Sequence, residues 1–361
     1  MRRLLLILTF AAVAAAQSRD PLPVPDIPGL KTLKCDFHIH TVFSDGEVWP
    51  TTRVSEAWRE GLDAIAITDH AGYNPHEKDL RPDLLRPYAI AKADADRLGI
   101  ILVQGVEVME GNNHCNAIFV TDPNAMFGLD LLSALRVARK QNAFVFWNHP
   151  GWKETPRWFP LLAAAYDEKL IQGIELVNTT DFYPEVFPWT EERKLAILAD
   201  SDLHAPSTSD YRPRTRPVTL VFAKSRDAEG VREALVARRS AAWYGGEVWG
   251  RESELLGLWN GAVKIENPEL RFAPGVTGAA LRLRNASAIP LGIVVRGTAP
   301  WLYAGSAKIP AEQMALVNLA ITRDAPGGER VVQLELEITN LHVAPGRNLR
   351  VTVPLTVEVG R

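Results

Sequence analysis

Short apolar runs alternate with amphipathic stretches through the first two-thirds of the chain. The runs Thr32 to His38, Ala64 to Thr68, Ile101 to Val106, Asn116 to Val120, Phe144 to Trp147, Gly173 to Val177, Ala196 to Ser201 and Val218 to Phe222 are brief, and most are rich in β-branched or aromatic residues. They predict strands. Between them, Thr51 to Glu60, Arg86 to Leu98, Leu131 to Lys140, Leu161 to Glu168 and Asp227 to Arg238 predict helices. In the last of these, Val231, Ala234, Leu235 and Arg238 recur at helical spacing. Strands alternating with helices predict a parallel β/α architecture.

The pattern changes near Ala262. Helical periods end, and Ala279, Leu281 and Leu283 alternate with polar or small residues, as do Leu334, Leu336 and Ile338. Val351, Val353, Leu355, Val357 and Val359 continue this habit. Turn signals at Pro274-Gly275, Pro326-Gly327-Gly328 and Pro345-Gly346 separate the runs. This predicts a small antiparallel, immunoglobulin-like β-sandwich over residues 262–361, after a β/α unit over 32–261.

The start of the chain has the physical marks of a signal peptide. Arg2 and Arg3 precede an apolar run from Leu4 to Ala16, broken only by Thr9. Ala14-Ala15-Ala16 meets the small-residue cleavage rule, so residues 1–16 are expected to direct export and a mature chain to begin at Gln17. The run is shorter than the roughly 20 residues of a membrane-spanning helix. No later segment of the mature chain reads as a span. Residues 17–31 hold a proline-rich extended lead-in. The net charge of −3 offers no attraction to a nucleic-acid polyanion. Cys35 and Cys115 are expected to be small packing residues behind the chemistry rather than a disulfide or zinc-finger pair.

The chemistry is concentrated in histidines and carboxylates at the ends of the apolar runs. They are His38, His40, Asp45, Asp69, His70, Glu107, His114, His149, Asp202 and His204. Of the eight histidines only His76 and His342 fall outside this set, and His342 reads as a surface residue. Neutral imidazoles mixed with carboxylates suit Zn, Mn and Fe. Residues two apart in a strand share a face, so His38 and His40 can reach one ion, and Asp202 and His204 can do the same from another strand. No G-x-S-x-G or Cys-His pattern supplies a protein nucleophile.

The segment Asp36-Phe37-His38-Ile39-His40-Thr41-Val42-Phe43-Ser44-Asp45-Gly46 resembles the first motif of the PHP (polymerase and histidinol phosphatase) superfamily. Thr68-Asp69-His70, Asn148-His149-Pro150 and Ser201-Asp202-Leu203-His204 resemble later ones. More narrowly, Asp45-Gly46-Glu47-Val48-Trp49-Pro50 and the run Phe146 to Trp152 resemble the secreted Sb-PDE family of phosphodiesterases. The resemblance covers roughly residues 33–260. It implies a distorted (β/α)7 barrel with two or three divalent ions (Mn, Zn or Fe). By resemblance, His38, His40, Glu107 and Asp202 hold the first. Glu107 bridges to a second on His114 and His149, and Asp45, His70 and His204 hold a third. The loop from Glu107 to His114 is shorter than the family commonly has, which leaves open that His114 supports a ligand from behind.

The resemblance implies phosphoester hydrolysis of a small-molecule substrate by a hydroxide that the ions generate at neutral pH, with a diester favoured. Two alternatives stand beside it: a phosphomonoesterase of the histidinol- or nucleotide-phosphatase kind, and a metal-binding or glycan-binding accessory module without catalysis. Asp69 would orient a histidine, or be a capping or loop aspartate. His76 would contact the phosphate or protonate the leaving group, or be a solvated loop histidine. From Arg212, Arg214 and Arg216, Arg214 and Arg216 are the expected phosphate contacts. Trp147, Trp152, Trp158, Tyr183 and Trp189 would wall a cleft or pack in the core. Oligomeric state stays open.

Overall fold

The computed structural model describes residues 18–360, so the segment read as a signal peptide lies outside the described residues. The β/α region begins with β1 (Lys31–Asp36), α1 (Pro50–Arg59), β2 (Ala64–Ile67), α2 (Arg86–Leu98), β3 (Ile101–Glu110), β4 (Asn113–Ile118), α3 (Leu131–Lys140), β5 (Phe144–Trp147), α4 (Pro160–Asp167) and β6 (Gly173–Asn178). It continues with β7 (Asp181–Phe182), α5 (Phe187–Glu192), β8 (Ala196–Asp200), α6 (Ser207–Asp210), β9 (Val218–Ala223), α7 (Ala228–Val236), β10 (Ser240–Tyr244), β11 (Glu247–Trp249) and α8 (Glu252–Ala262). Helix α1 starts with Pro50, whose missing N–H is harmless there. Helix α2 ends at Gly99 in the left-handed region. Helix α3 is capped by the Asp130 side chain, which accepts from the Ser133 backbone N–H.

The sheet is mixed, where the alternating pattern predicts a parallel one. β1, β2 and β3 are parallel neighbours. β3 then turns straight back into β4 with no helix between, and β4 pairs β5 antiparallel as well. β5, β6 and β8 are parallel again. On the far side of β1, β9 and β10 run antiparallel. β8 packs on β9 and β10 through side chains: Ala199 N donates to Thr219 Oγ1 at 2.8 Å, and Ile197 N to Ser240 Oγ at 3.2 Å.

The last hundred residues are all β: β12 (Val263–Ile265), β13 (Glu269–Phe272), β14 (Gly278–Asn285), β15 (Leu291–Gly297), β16 (Leu302–Ala304), β17 (Ala307–Ile309), β18 (Met314–Ile321), β19 (Gly328–Ala344) and β20 (Arg347–Val359). β19 and β20 form a long hairpin across Pro345-Gly346. A second sheet has the order β12-β14-β18-β16. Inward residues Leu281, Leu283, Val317, Leu319, Leu334, Leu336, Leu355 and Val357 fill the space between the two sheets, as strand alternation requires. This region departs from a free-standing antiparallel sandwich. β11 pairs β19 in parallel and β13 pairs β20 in parallel, so one C-terminal sheet is continuous with the β/α sheet.

The lead-in is strapped to both regions: Asp26 Oδ1 accepts from Thr32 N, and Ala288 N donates to Pro23 O. One further expectation, for His342, changes here. His342 is a half-buried junction residue rather than a surface one. It stacks on Trp249 at 5.3 Å between ring centroids and meets Glu247 Oε2 at 2.6 Å and Asn348 Oδ1 at 2.9 Å. Cys35 and Cys115 are buried free thiols, as expected. Among the described residues, no helix is long and apolar enough to cross a membrane.

Arg53 on α1 ties the helix to the loops that carry the chemistry. It is 1% exposed and donates to the backbone carbonyls of His40, Leu203, His204 and Ala205 and to Glu56. An apolar residue of similar length would strand those carbonyls and leave the buried Glu56 carboxylate without its partner. Arg53→Met should therefore cost about 3–5 kcal/mol, read as a lowered denaturant midpoint with an unchanged slope.

Candidate metal centre

Most of the candidate ligand residues lie just beyond strand ends, whereas Glu107 is within β3 and His114 within β4. β1 stops at Asp36, and the chain runs on extended so that Ile39 bridges Leu203 in parallel and His40 N donates to Leu203 O at 2.9 Å. His38 and His40 thus share a face, as the spacing predicts. The second pair separates. Asp202 has φ 52°, in the left-handed region, so the chain turns between it and His204. Asp202 faces His38 and His40, whereas His204 faces Asp45. His149 also has positive φ, at 27°. Two non-glycine residues held this way mark a backbone constrained by its surroundings.

Glu107 sits at the centre. Its Oε2 lies 3.3 Å from His38 Nε2, 3.2 Å from His40 Nε2 and 3.1 Å from His70 Nδ1. Its Oε1 lies 3.0 Å from His114 Nδ1 and 3.5 Å from His149 Nε2, and accepts from Asn148 Nδ2 at 2.8 Å. Asp202 Oδ1 is 3.1 Å from Nε2 of both His38 and His40. Asp45 is 3.5 Å from His70 Nε2 and 3.3 Å from His204 Nε2. Four overlapping groups result: His38, His40 and Asp202; His38, Glu107 and His149; His70, Glu107 and His114; and His40, Asp45, His70 and His204.

The short stretch from Glu107 to His114 is the turn of the β3–β4 hairpin. Met109 pairs with His114 and Glu107 with Asn116, so Glu107 and His114 share a face. The hairpin brings His114 into a candidate metal-binding group with His70 and Glu107. His70 differs from the inferred scheme in facing two groups at once.

The donor set fits divalent cations. Nε2 of His38 and His40, Nδ1 of His70, and Oδ1 of Asp45 and Asp202 are buried without a hydrogen-bond partner. Such groups are costly in a protein interior unless paired or coordinated. Burial opposes ionisation of Glu107, yet the imidazoles of His70 and His38, with His114 and His149, hold its carboxyl well below the ordinary range. Asp202 is likewise held down against burial, first by His38 and His40, and Asp45 by His204 and His70. Burial alone would push the His40 imidazole down, but Asp202 and Glu107 outweigh it and raise it to about 9.

An outer layer orients the histidines. Glu175 lies 2.9 Å from His38 Nδ1, accepts from His149 N at 2.6 Å and from Asn178 Nδ2 at 2.9 Å. This leaves His38 Nε2 for an ion. His204 Nδ1 faces the Asp202 carbonyl at 2.8 Å, which leaves its Nε2 toward Asp45. Asp69 meets no histidine directly. It accepts from Thr41 N, Thr41 Oγ1 and Ser44 Oγ, and Ser44 Oγ lies 3.3 Å from His40 Nδ1. Asp69 therefore positions His40 through Ser44 rather than sitting among the reacting groups. Gly46 is obligatory in this loop, because a Cβ there would lie 2.6 Å from Thr41 N.

Three expected substrate contacts lie elsewhere. Arg214 is exposed and binds Asp20, the Pro21 carbonyl and Glu312, joining the lead-in to the C-terminal region. Arg216 is buried against Asp36 and Glu60. His76 is exposed on the Asn74–Leu80 loop and does not line the cleft. Of the five aromatics expected to wall a cleft, Trp152 alone borders it, beside His114 and His149, and Tyr73 joins it there. Trp147 is core and stacks on Trp189, and Trp158 and Tyr183 also pack inside. Sequence reasoning missed Glu175, Asn178, Asn148 and Ser44. A legible signal existed for Glu175, an acid inside the apolar run Ile174 to Val177.

Two outcomes follow. Glu175→Gln keeps the shape but has one acceptor oxygen for three donors, so metal affinity should fall by roughly 10–100-fold in chelator competition, with the fold retained. The carboxylates also hold a proton on His40 up to about 9. A divalent ion needs the neutral imidazole, so apparent affinity should rise with pH toward that value. Titration calorimetry in two buffers of different ionisation heat should then register proton release at pH 7.

No family model matches the sequence. An uncharacterized protein of Methanocaldococcus jannaschii is 40% identical over 78 residues, which is 21% of this chain and 34% of that protein. The chain thus matches only about a third of that relative's length. A solved two-domain protein from Bacteroides vulgatus contains a predicted PHP-like metal-dependent phosphoesterase. It is 37% identical, with a TM-score of 0.87 over 94% of this chain and 100% of its own. With the His/carboxylate groups in place as well, the chain belongs to this family of two-domain PHP-like metal-dependent phosphoesterases.

Proposed function

We propose that the protein is an exported phosphoester hydrolase that prefers diesters, of the Sb-PDE kind. The carrying observation is Glu107, whose two oxygens face opposite histidine sets at the floor of an open cleft of about 370 Å³. Divalent Mn, Zn or Fe ions held there, two or three in number, would neutralise phosphate oxygens and acidify a water. In this reading residues 1–16 direct export, residues 32–261 are a distorted seven-unit barrel, and residues 262–361 cover it as the β-sandwich.

The protein's own contribution is positional. Glu107 would bridge between His38 and His40 on one side and His114 and His149 on the other. Asn148 fixes its rotamer by donating to Oε1. Asp202 and Asp45 would complete the flanking groups. Tyr73, Met109 and Trp152 border the cleft and would receive the two ester groups of a diester. No lysine or arginine lines the cleft among the described residues. A monoester dianion would call for such contacts beyond the ions, which favours a singly charged diester.

The test is turnover of bis(4-nitrophenyl) phosphate against 4-nitrophenyl phosphate after metal stripping and reloading with Mn, Zn or Fe. Faster, metal-dependent diester hydrolysis is expected. Glu107→Gln should lose more activity than the roughly 10–100-fold typical of changes behind the ligands. Faster monoester turnover would overturn the diester preference. No turnover with any metal would overturn the hydrolase reading and leave a metal-binding accessory module.

A further inference from the structure

A second cleft lies apart from the metal centre and shares no lining residue with it. It sits between the lead-in, the end of α1, the loop after α6 and the β10–β11 turn, and encloses about 200 Å³. An apolar cavity of roughly 150 Å³ already accepts a benzene ring. The floor is apolar and buried, built from Leu22, Leu62, Val218 and Trp243. Tyr211 adds a ring face, because its hydroxyl is already committed to the Ser201 carbonyl.

The rim carries uncompensated positive charge. Arg214 is matched by Asp20 and Glu312, and Arg216 by Asp36 and Glu60. These pairs also neutralise the two acids that line the cleft, Asp20 and Glu60. Arg59 gives only its Nε, to the Ser55 carbonyl at 3.3 Å. The exposed Arg212 guanidinium makes no hydrogen bond or ion pair among the described residues. Two guanidinium groups thus line the cleft beside an apolar, aromatic floor with no acidic partner among the described residues. A bidentate fork suits the planar oxygens of a carboxylate or the oxygens of a phosphoryl group.

We propose that this cleft is a second ligand site, separate from the metal centre, that binds a small organic anion bearing an aromatic ring. The ring occupies the floor between Leu62, Val218 and Trp243, and the anionic group meets Arg59 and Arg212. The inference stands independently of the hydrolase reading.

The probe is phenylphosphonate, whose phosphorus–carbon bond is not an ester, titrated calorimetrically into metal-loaded protein. The expected result is a binding event that persists in Glu107→Gln. It should weaken tenfold or more in Arg212→Glu and return in Arg212→Lys. Arg212 is exposed and has no side-chain partner among the described residues, so these variants should fold and keep wild-type hydrolysis rates. Inorganic phosphate should bind more weakly than phenylphosphonate. Binding that disappears with Glu107→Gln, or that ignores Arg212→Glu, would overturn the site. Equal affinity for inorganic phosphate would overturn the role of the aromatic floor.

Discussion

The centre depends on one buried carboxylate. Glu107 is 1% exposed, and an ion there is tolerated only where positive charge meets both oxygens. Five histidines surround it, three toward Oε2 and two toward Oε1. Those histidines come from the segment after β1, the segment after β2, the β4 strand and the segment after β5. The sheet must therefore curl until separate strand ends meet at a single residue. The β3–β4 hairpin makes this feasible, because Glu107 and His114 then come from adjacent strands on one face.

Much of this was legible in the chain. The alternation of amphipathic stretches and short apolar runs predicted α2, α3 and β5 with the observed ends. The ligand types were readable because imidazole and carboxylate at the ends of apolar runs have few other uses. What was not legible is direction. The pattern of apolar runs cannot distinguish a parallel neighbour from a hairpin, so β4 and β9 were expected in a parallel sheet and are antiparallel. The merger of the two regions depends on β11 meeting β19, a pairing between residues some ninety positions apart that leaves no local trace.

The residues behind the ligands were the hardest to foresee. Glu175 is an acid whose importance comes from what it touches, not from its spacing, whereas Asp69 was expected to orient a histidine and does so through Ser44. Glu175 fixes His38 and the His149 backbone together, so it couples the ends of β1 and β5. Asp69 acts through Ser44 and organises the whole Thr41–Ser44 turn. The arginines show the converse. Arg214 and Arg216 follow the last motif closely in sequence, yet their guanidinium groups point to acids on the lead-in, on α1 and at the end of β1.

Arg216 explains why a buried aspartate opens the first motif. Asp36 Oδ2 receives its guanidinium, while Oδ1 accepts the backbone N–H groups of His38 and Ser201. One carboxylate thereby locks the two chain segments that carry His38 and Asp202. The same interior holds Asp200 and Glu175, both fully buried. Burial, then Asp36 and Glu175, pushes the Asp200 carboxyl well above its usual range. Asp200 Oδ1 accepts from Phe37 N and Thr219 Oγ1, which ties the end of β8 to the segment after β1 and to β9.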